Sequence, residues 1–172
     1  ATPAAESPTA IAWEFGAGGG VAIGIAPTGV SGAVLLHASG AIGRGSLGLE
    51  LRLDLPSTRP AGTGSVTSTL VLGTLLPCVG IDRFQVCAQV SAGALGASSS
   101  GLVGATSLSA PMVLVGGRVS AAFHLLRWLT VTPWVDVLGA LTRVALVVDG
   151  APVWVTPPAS GLAGLRLSIP WP

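Results

Sequence analysis

The sequence predicts an all-β fold: an eight-stranded antiparallel up-and-down barrel, turned so that its apolar face points outward. Three observations carry this. First, half of the 172 residues are hydrophobic and only 9% are charged, with a mean hydropathy of +0.76, whereas a soluble domain carries roughly 25% charge. Eight arginines and seven carboxylates cannot cover such a domain in polar groups. Second, apolar residues recur with a period of two, the signature of strands half-buried on one face. Third, turn signals cut the chain into eight segments whose connections alternate between short and long.

The alternation is sharpest in "SLGLELRLDL" (46–55), where Leu47, Leu49, Leu51, Leu53 and Leu55 oppose Ser46, Gly48, Glu50, Arg52 and Asp54. The stretches 15–43 and 84–117 contain no Asp, Glu, Lys or Arg, long enough for membrane helices by length alone. Yet "GAGGGVAIGIAPTGVSG" is dense in Gly and broken by Pro. Each Gly costs a helix about 1 kcal/mol relative to Ala, and a helix does not account for the period of two.

The first strand is read over 11–26, with Ile11, Trp13, Phe15, Val21 and Ile23 on one parity and tiny residues plus Glu14 on the other. The second spans 31–42 and carries His37, and the third spans 45–55. The fourth, 65–79, and the fifth, 84–97, join through "GIDR" (80–83). In the fifth, Phe84, Val86 and Val90 oppose Gln85, Cys87 and Gln89. The sixth, 110–124, sets Val115, Val119 and Phe123 against Arg118 and His124, and "LLR" (125–127) leads to the seventh, 128–142, with Trp128 and Asp136. The eighth, 159–171, sets Leu165, Leu167, Ile169 and Trp171 against Arg166.

"GRG" (43–45), "GIDR" and "LLR" are tight and fall at one end, together with both termini. "APTGV" (26–30), "PSTRPAGTG" (56–64), "SSSGLVGATSLS" (98–109) and 143–158 form loops at the other. The last contains "VVDGAPVWVTPP", whose Asp-Gly is a hairpin signal, so a ribbon is expected there, with Val153 and Trp154 exposed as a possible protein-partner contact. Short turns at one end and long loops at the other is the pattern of outer-membrane barrels, whose short turns are periplasmic. Trp13, Phe15, Phe84, Phe123, Trp128 and Trp171 all fall near the tight-turn end, as an interfacial aromatic girdle would; the alternative is an apolar plug at one end of a soluble barrel.

Hydrocarbon excludes an open sheet edge, because each unpaired backbone group costs several kcal/mol there. Closure with eight strands leaves an interior that side chains just fill. The leucines of 47–55 then face lipid. The inward set is Glu14, His37, Glu50, Arg52, Asp54, Arg118, His124, Asp136 and Arg166, with Gln85 and Gln89. So narrow a space demands that its charges pair. A packed polar interior is expected, not a conducting pore.

"SLGLELRLDLP", "LLPC…FQVCAQVSAGAL" and "VDGAPVWVTPP" resemble a group of predicted myxobacterial outer-membrane β-barrel proteins of unassigned function, over nearly the whole chain after the first ten residues. More broadly the architecture is similar to small OmpA/OmpX-type barrels. The resemblance implies a Gram-negative outer-membrane protein inserted from the periplasm, in contact with outer-membrane lipid and lipopolysaccharide, and it brings no known activity with it. The insertion machinery reads a terminal strand that ends in an aromatic residue; here Trp171 is followed by Pro172. The opening "ATPAAESPTA" (1–10) reads as a disordered N-terminal arm left after signal removal, with 11–172 forming the barrel.

If the hairpin turns at Asp82–Arg83, Cys78 and Cys87 lie directly opposite, near disulfide reach, and the periplasmic side is oxidising. A bond is expected; two small buried thiols are the alternative. Cys87 has inward parity while strand four places Leu70, Leu72 and Leu76 on the matching side; a bulge near Pro77 could reset the register, which the sequence leaves open.

Chemistry is sparse. A membrane-embedded lipid-modifying enzyme would use His37 or His124, but no GxSxG occurs and no spacing ties either His to a Ser. Two distant His and two paired Cys make no metal-ligand set. "GAGGGVAIG" lacks the Lys-Ser/Thr of a phosphate loop, so no cofactor is expected. A net charge of +1 gives no case for nucleic acid. The expected role is a structural or interaction component. A soluble lipocalin-like binder of an apolar ligand would need the leucine parity inward.

Overall fold

In the computed structural model, residues 11–26, 28–61, 64–101, 107–148 and 151–171 are described; the arm expected at 1–10 lies outside them. Eleven strands occur among these residues: β1 (Ala12–Ile23), β2 (Val30–Ile42), β3 (Gly45–Ala61), β4 (Gly64–Ile81), β5 (Phe84–Ser100), β6 (Ser107–Ala121), β7 (Phe123–Leu126), β8 (Leu129–Ala140), β9 (Ala145–Val148), β10 (Ala151–Val155) and β11 (Ala159–Trp171).

Eight of them make an antiparallel ring in the order β1-β2-β3-β4-β5-β6-β8-β11, closed where β11 pairs with β1 from Trp13↔Trp171 to Ile23↔Gly161. Each wall strand pairs with its sequence neighbour, the up-and-down arrangement. Leu47, Leu49, Leu51, Leu53 and Leu55 face outward, between 40% and 61% exposed, while Glu50, Arg52 and Asp54 are buried at 2–4%. The lipocalin-like polarity is therefore excluded.

Two tight hairpins close on two residues each. Ile42 pairs with Gly45 around Gly43 and Arg44, and Ile81 pairs with Phe84 around Asp82 and Arg83. Gly43 at φ 60° and Asp82 at φ 56° occupy the left-handed region, which Gly enters freely and Asp tolerates better than most residues. The third hairpin turns at Arg127–Trp128, with a register shift between His124 and Leu126.

The strands depart from the sequence reading in four places. The span 56–64 is mostly strand: β3 continues to Ala61 past a bulge between Asp54 and Ser57, which moves the inward parity from Asp54 to Ser57. Likewise β5 continues through Ser100, and β6 begins at Ser107. Both segments are Ser/Thr-rich and read as loops, yet each finds a partner strand. The sixth strand is broken at Ala122, whose N–H bonds to the Arg83 carbonyl; β7 resumes the same pairing with β8. The ribbon expected in 143–158 exists as the β9–β10 hairpin, although its Asp149-Gly150 turn lies outside the described residues.

No bulge resets strand four. Leu75↔Val90 and Cys78↔Cys87 share one register, and Leu70, Leu72 and Leu76 point inward, each at most 2% exposed. The interior therefore has two compartments, not the single polar core expected. Toward the long-loop mouth an apolar cluster fills the barrel, built on Ile25, Leu35, Leu70, Leu72, Leu95, Met112, Leu114, Leu138 and Leu162. Toward the tight turns ionic, hydroxyl and amide side chains predominate, with Leu76 among them, and the Arg52–Asp54 side chains of β3 stand level with Leu72 and Leu70 of the apolar cluster.

Candidate functional site

The ionic compartment is built from three strands that meet across the barrel. Arg118 on β6 donates from Nε and Nη2 to Asp136 on β8, at 2.7 and 2.8 Å. Its Nη1 and Nη2 reach Glu50 on β3 at 2.7 and 3.0 Å. The Arg118–Asp136 contact follows from direct pairing on adjacent strands, whereas the Glu50 contact crosses the interior. The guanidinium lies 4.4 Å from the ring centroid of Trp134, a stacking distance. The ring in turn covers Gly164, where an added Cβ would sit 2.7 Å from Trp134 Cζ2. Glycine at 164 thus makes the space into which the ring and the arginine stack.

Two smaller pairs flank this lattice. Arg52 and Asp54 form a two-pronged bond at 2.6 and 2.7 Å. Arg166 Nη2 lies 3.5 Å from Glu14 Oε1, a looser contact at the more open end. Each of the four inward carboxylates faces an arginine, which such burial requires. His37 is buried with its Nδ1 3.9 Å from Glu50 and without a hydrogen-bond partner on that atom.

His124 departs from the expectation. It has the inward parity, paired with Thr130, but it is exposed. The β7–β8 hairpin extends past the first residue of β5, so the wall next to His124 has ended. The two histidines are therefore in different surroundings, and neither bonds to a serine hydroxyl among the described residues.

Trp154 also differs: it is half-buried and packs, with Ala140 and Val144, against the apolar cluster. The Thr156 hydroxyl fixes this segment, accepting from the Val144 N–H at 3.1 Å. The Val153 side chain lies outside the described residues. Trp134 is absent from the sequence-predicted interior set, although it shares the inward parity of Thr130, Thr132 and Asp136; that parity was the signal.

The six girdle aromatics are 43–64% exposed and ring the tight-turn end. Trp13 pairs with Trp171 and Phe15 with Ile169 across the closing seam, and these four side chains line an open, wholly apolar groove on the outer wall. A disulfide joins Cys78 to Cys87 inside the β4–β5 hairpin, as their spacing suggested. No group of three or more His, Cys, Asp or Glu able to hold a metal occurs among the described residues. Among the described residues no helix is long and apolar enough to cross a membrane, which says nothing of strands.

No protein-family model matches the chain, and no curated protein matches it. Solved structures do. A major outer-membrane protein from Thermus thermophilus superposes with a TM-score of 0.62 at 15% identity, over 94% of this chain and 100% of that one. Ail, the attachment invasion locus protein of Yersinia pestis, gives 0.57 at 10%, over 94% and 97%, in its complex with the heparin analogue sucrose octasulfate. Neisserial surface protein A gives 0.55 at 8%, over 92% and 96%. At such identities the likeness establishes the fold: that of small OmpA/OmpX-like outer-membrane β-barrels.

Proposed function

We propose that this chain is a bacterial outer-membrane protein that conducts no ions and serves as a structural or interaction component, displaying its long-loop end to the cell exterior. One observation carries the reading: the polarity is inside out. Five leucines of β3 face outward while the charges between them are buried and paired. Water would penalise such a surface at roughly 25 cal/mol per Å2 of apolar area, whereas acyl chains solvate it. The ring has no open edge, as hydrocarbon requires, and the aromatic girdle fits one membrane–water interface.

The interior supports closure to ions. Paired charges and a cluster of apolar side chains fill the interior, and eight strands enclose no aqueous channel. The fold's neighbours are consistent with a displayed ligand surface, since Ail is seen with a heparin analogue. In this chain the interaction reading moves from the 143–158 ribbon, where Trp154 is turned onto the barrel, to the strands that rise furthest, β3 to β6. The resemblance to the myxobacterial group belongs to the same proposal.

Cell fractionation tests it, followed by gel migration with and without boiling and by planar-bilayer recording. The expected result is recovery with outer membranes, heat-dependent migration and no current steps. Solubility without detergent, or unitary conductance, overturns the proposal.

A further inference from the structure

The outward face of β3–β6 changes chemistry at one level. Leu53, Val71, Ala94 and Pro111 are directly paired across the four strands and make the last row that is apolar on all four, Leu55 continuing the apolar face one step further on β3 alone. Beyond it come Thr69, Gly96 and Ser109, then Thr58, Thr67, Ser98 and Ser107, then Pro60, Ser65 and Ser100, each row again in register. The face carries eight hydroxyls and no charge. Thr58 and Thr67 bond to each other at 2.9 Å, and Ser65 to Ser100 at 3.0 Å, which shows that these side chains share one face. Every hydroxyl can donate once and accept twice, so the pairs keep capacity for a ligand.

Height decides what this face meets. Strands rise about 3.3 Å per residue and tilt by about 40°. Thr67, four residues past Val71, therefore stands roughly 10 Å above the last apolar row. Headgroups occupy only about 5–7 Å per leaflet beyond the hydrocarbon. On a phospholipid surface these rows would reach water, whereas in a glycolipid leaflet they stand among sugars.

Resting on the outer-membrane reading above, we propose that the outward hydroxyl face of β3–β6 docks the neutral sugar headgroup of an outer-leaflet glycolipid. The face is continuous with the acyl-facing belt, so one lipid molecule lays its chains on Val71, Ala94 and Pro111 and its sugars on the hydroxyl rows. Without cations on the face, selection is for sugar hydroxyls and not for phosphate.

The test uses detergent-folded full-length protein and two probes: lipopolysaccharide bearing its core oligosaccharide, and lipid A without it. Bound lipid is counted by native mass spectrometry. Each hydrogen bond has modest worth, so the wild type should retain the core-bearing lipid about tenfold over lipid A. Thr58→Val/Thr67→Val/Ser98→Ala/Ser107→Ala should retain both equally. The half-sets Thr58→Val/Thr67→Val and Ser98→Ala/Ser107→Ala, each changing two exposed or half-exposed side chains, should each lose part of the preference. Equal retention by the wild type, or an undiminished preference in a folded variant, overturns the inference. A barrel that fractionates with outer membranes yet shows no preference defeats this inference alone; one that is soluble without detergent defeats the location as well.

Discussion

Replacing Arg118 with Met keeps an apolar stem but removes every donor, together with the guanidinium's stacking contact on Trp134. Four charge-assisted hydrogen bonds of 2.7–3.0 Å are lost. At about 1.5–3 kcal/mol each, they set a ceiling of roughly 6–12 kcal/mol. The cost of burying the guanidinium disappears too, which offsets much of that. What remains is two carboxylates, Glu50 and Asp136, 4% and 0% exposed, with no cation between them. Removing one partner of a buried pair costs about 3–5 kcal/mol; we expect about 4 kcal/mol, near a thousandfold in the folding equilibrium. Urea titration of the barrel folded into phospholipid vesicles, followed by tryptophan fluorescence and by gel migration, measures it. The neutral triple variant Glu50→Gln/Arg118→Met/Asp136→Asn leaves no unpaired ion and should lie within about 2 kcal/mol of the wild type. A loss below about 1 kcal/mol for Arg118→Met, or a triple variant less stable than the single one, would refute the reasoning that the lattice is a closed set of compensating charges.

Three further outcomes follow. Leu51→Arg, in the middle of the outward leucine row, should cost about 2–4 kcal/mol of stability in bilayers, whereas an ordinary surface change lies within about 0.5 kcal/mol; the same vesicle titration separates the two. Cys78→Ser/Cys87→Ser opens the disulfide and should lower stability by about 2–3 kcal/mol on a loop-entropy estimate, with the oxidised wild type reduced by dithiothreitol moving the same way. Gly93→Ala should prevent folding or delay it severely, since the new Cβ collides with the Val71 carbonyl oxygen; Gly73→Ala, where the Cβ meets Ala92 O at an ordinary 3.8 Å, should fold normally. Heat-dependent gel migration of the two variants checks the contrast.

Parity was the legible part of this chain. Alternation in 46–55 assigned Glu50, Arg52 and Asp54 to the interior, and the spacing of Cys78 and Cys87 anticipated their bond. A period of two reports which side a residue faces but not how far along the barrel it stands. His124 therefore kept its inward parity yet emerged at a rim where the neighbouring strand had ended. The same limit hid the apolar compartment: Leu70 and Leu72 looked out of phase with a polar interior, when the interior itself changes character along the axis. Residues 56–61 and 98–100 read as loops because Ser, Thr and Pro favour turns locally, while pairing of 57–61 with 64–68 and of 98–100 with 65–67 extends the ladders of β4 past the apolar belt. Trp154 was assigned outward because a ribbon's fold-back depends on what it lands against, and that surface is assembled from strands across the whole chain.

The bond between Glu50 and Arg118 joins residues 68 positions apart, across a space that exists only once the sheet has curled shut. Until the first and last strands zip together, Glu50 stays apart from Arg118, which can pair only with Asp136 on the neighbouring strand, and no intermediate completes the lattice. Insertion is thereby made nearly all-or-none: a half-rolled sheet would carry naked ions into oil, so completing the seam and neutralising the interior are one event.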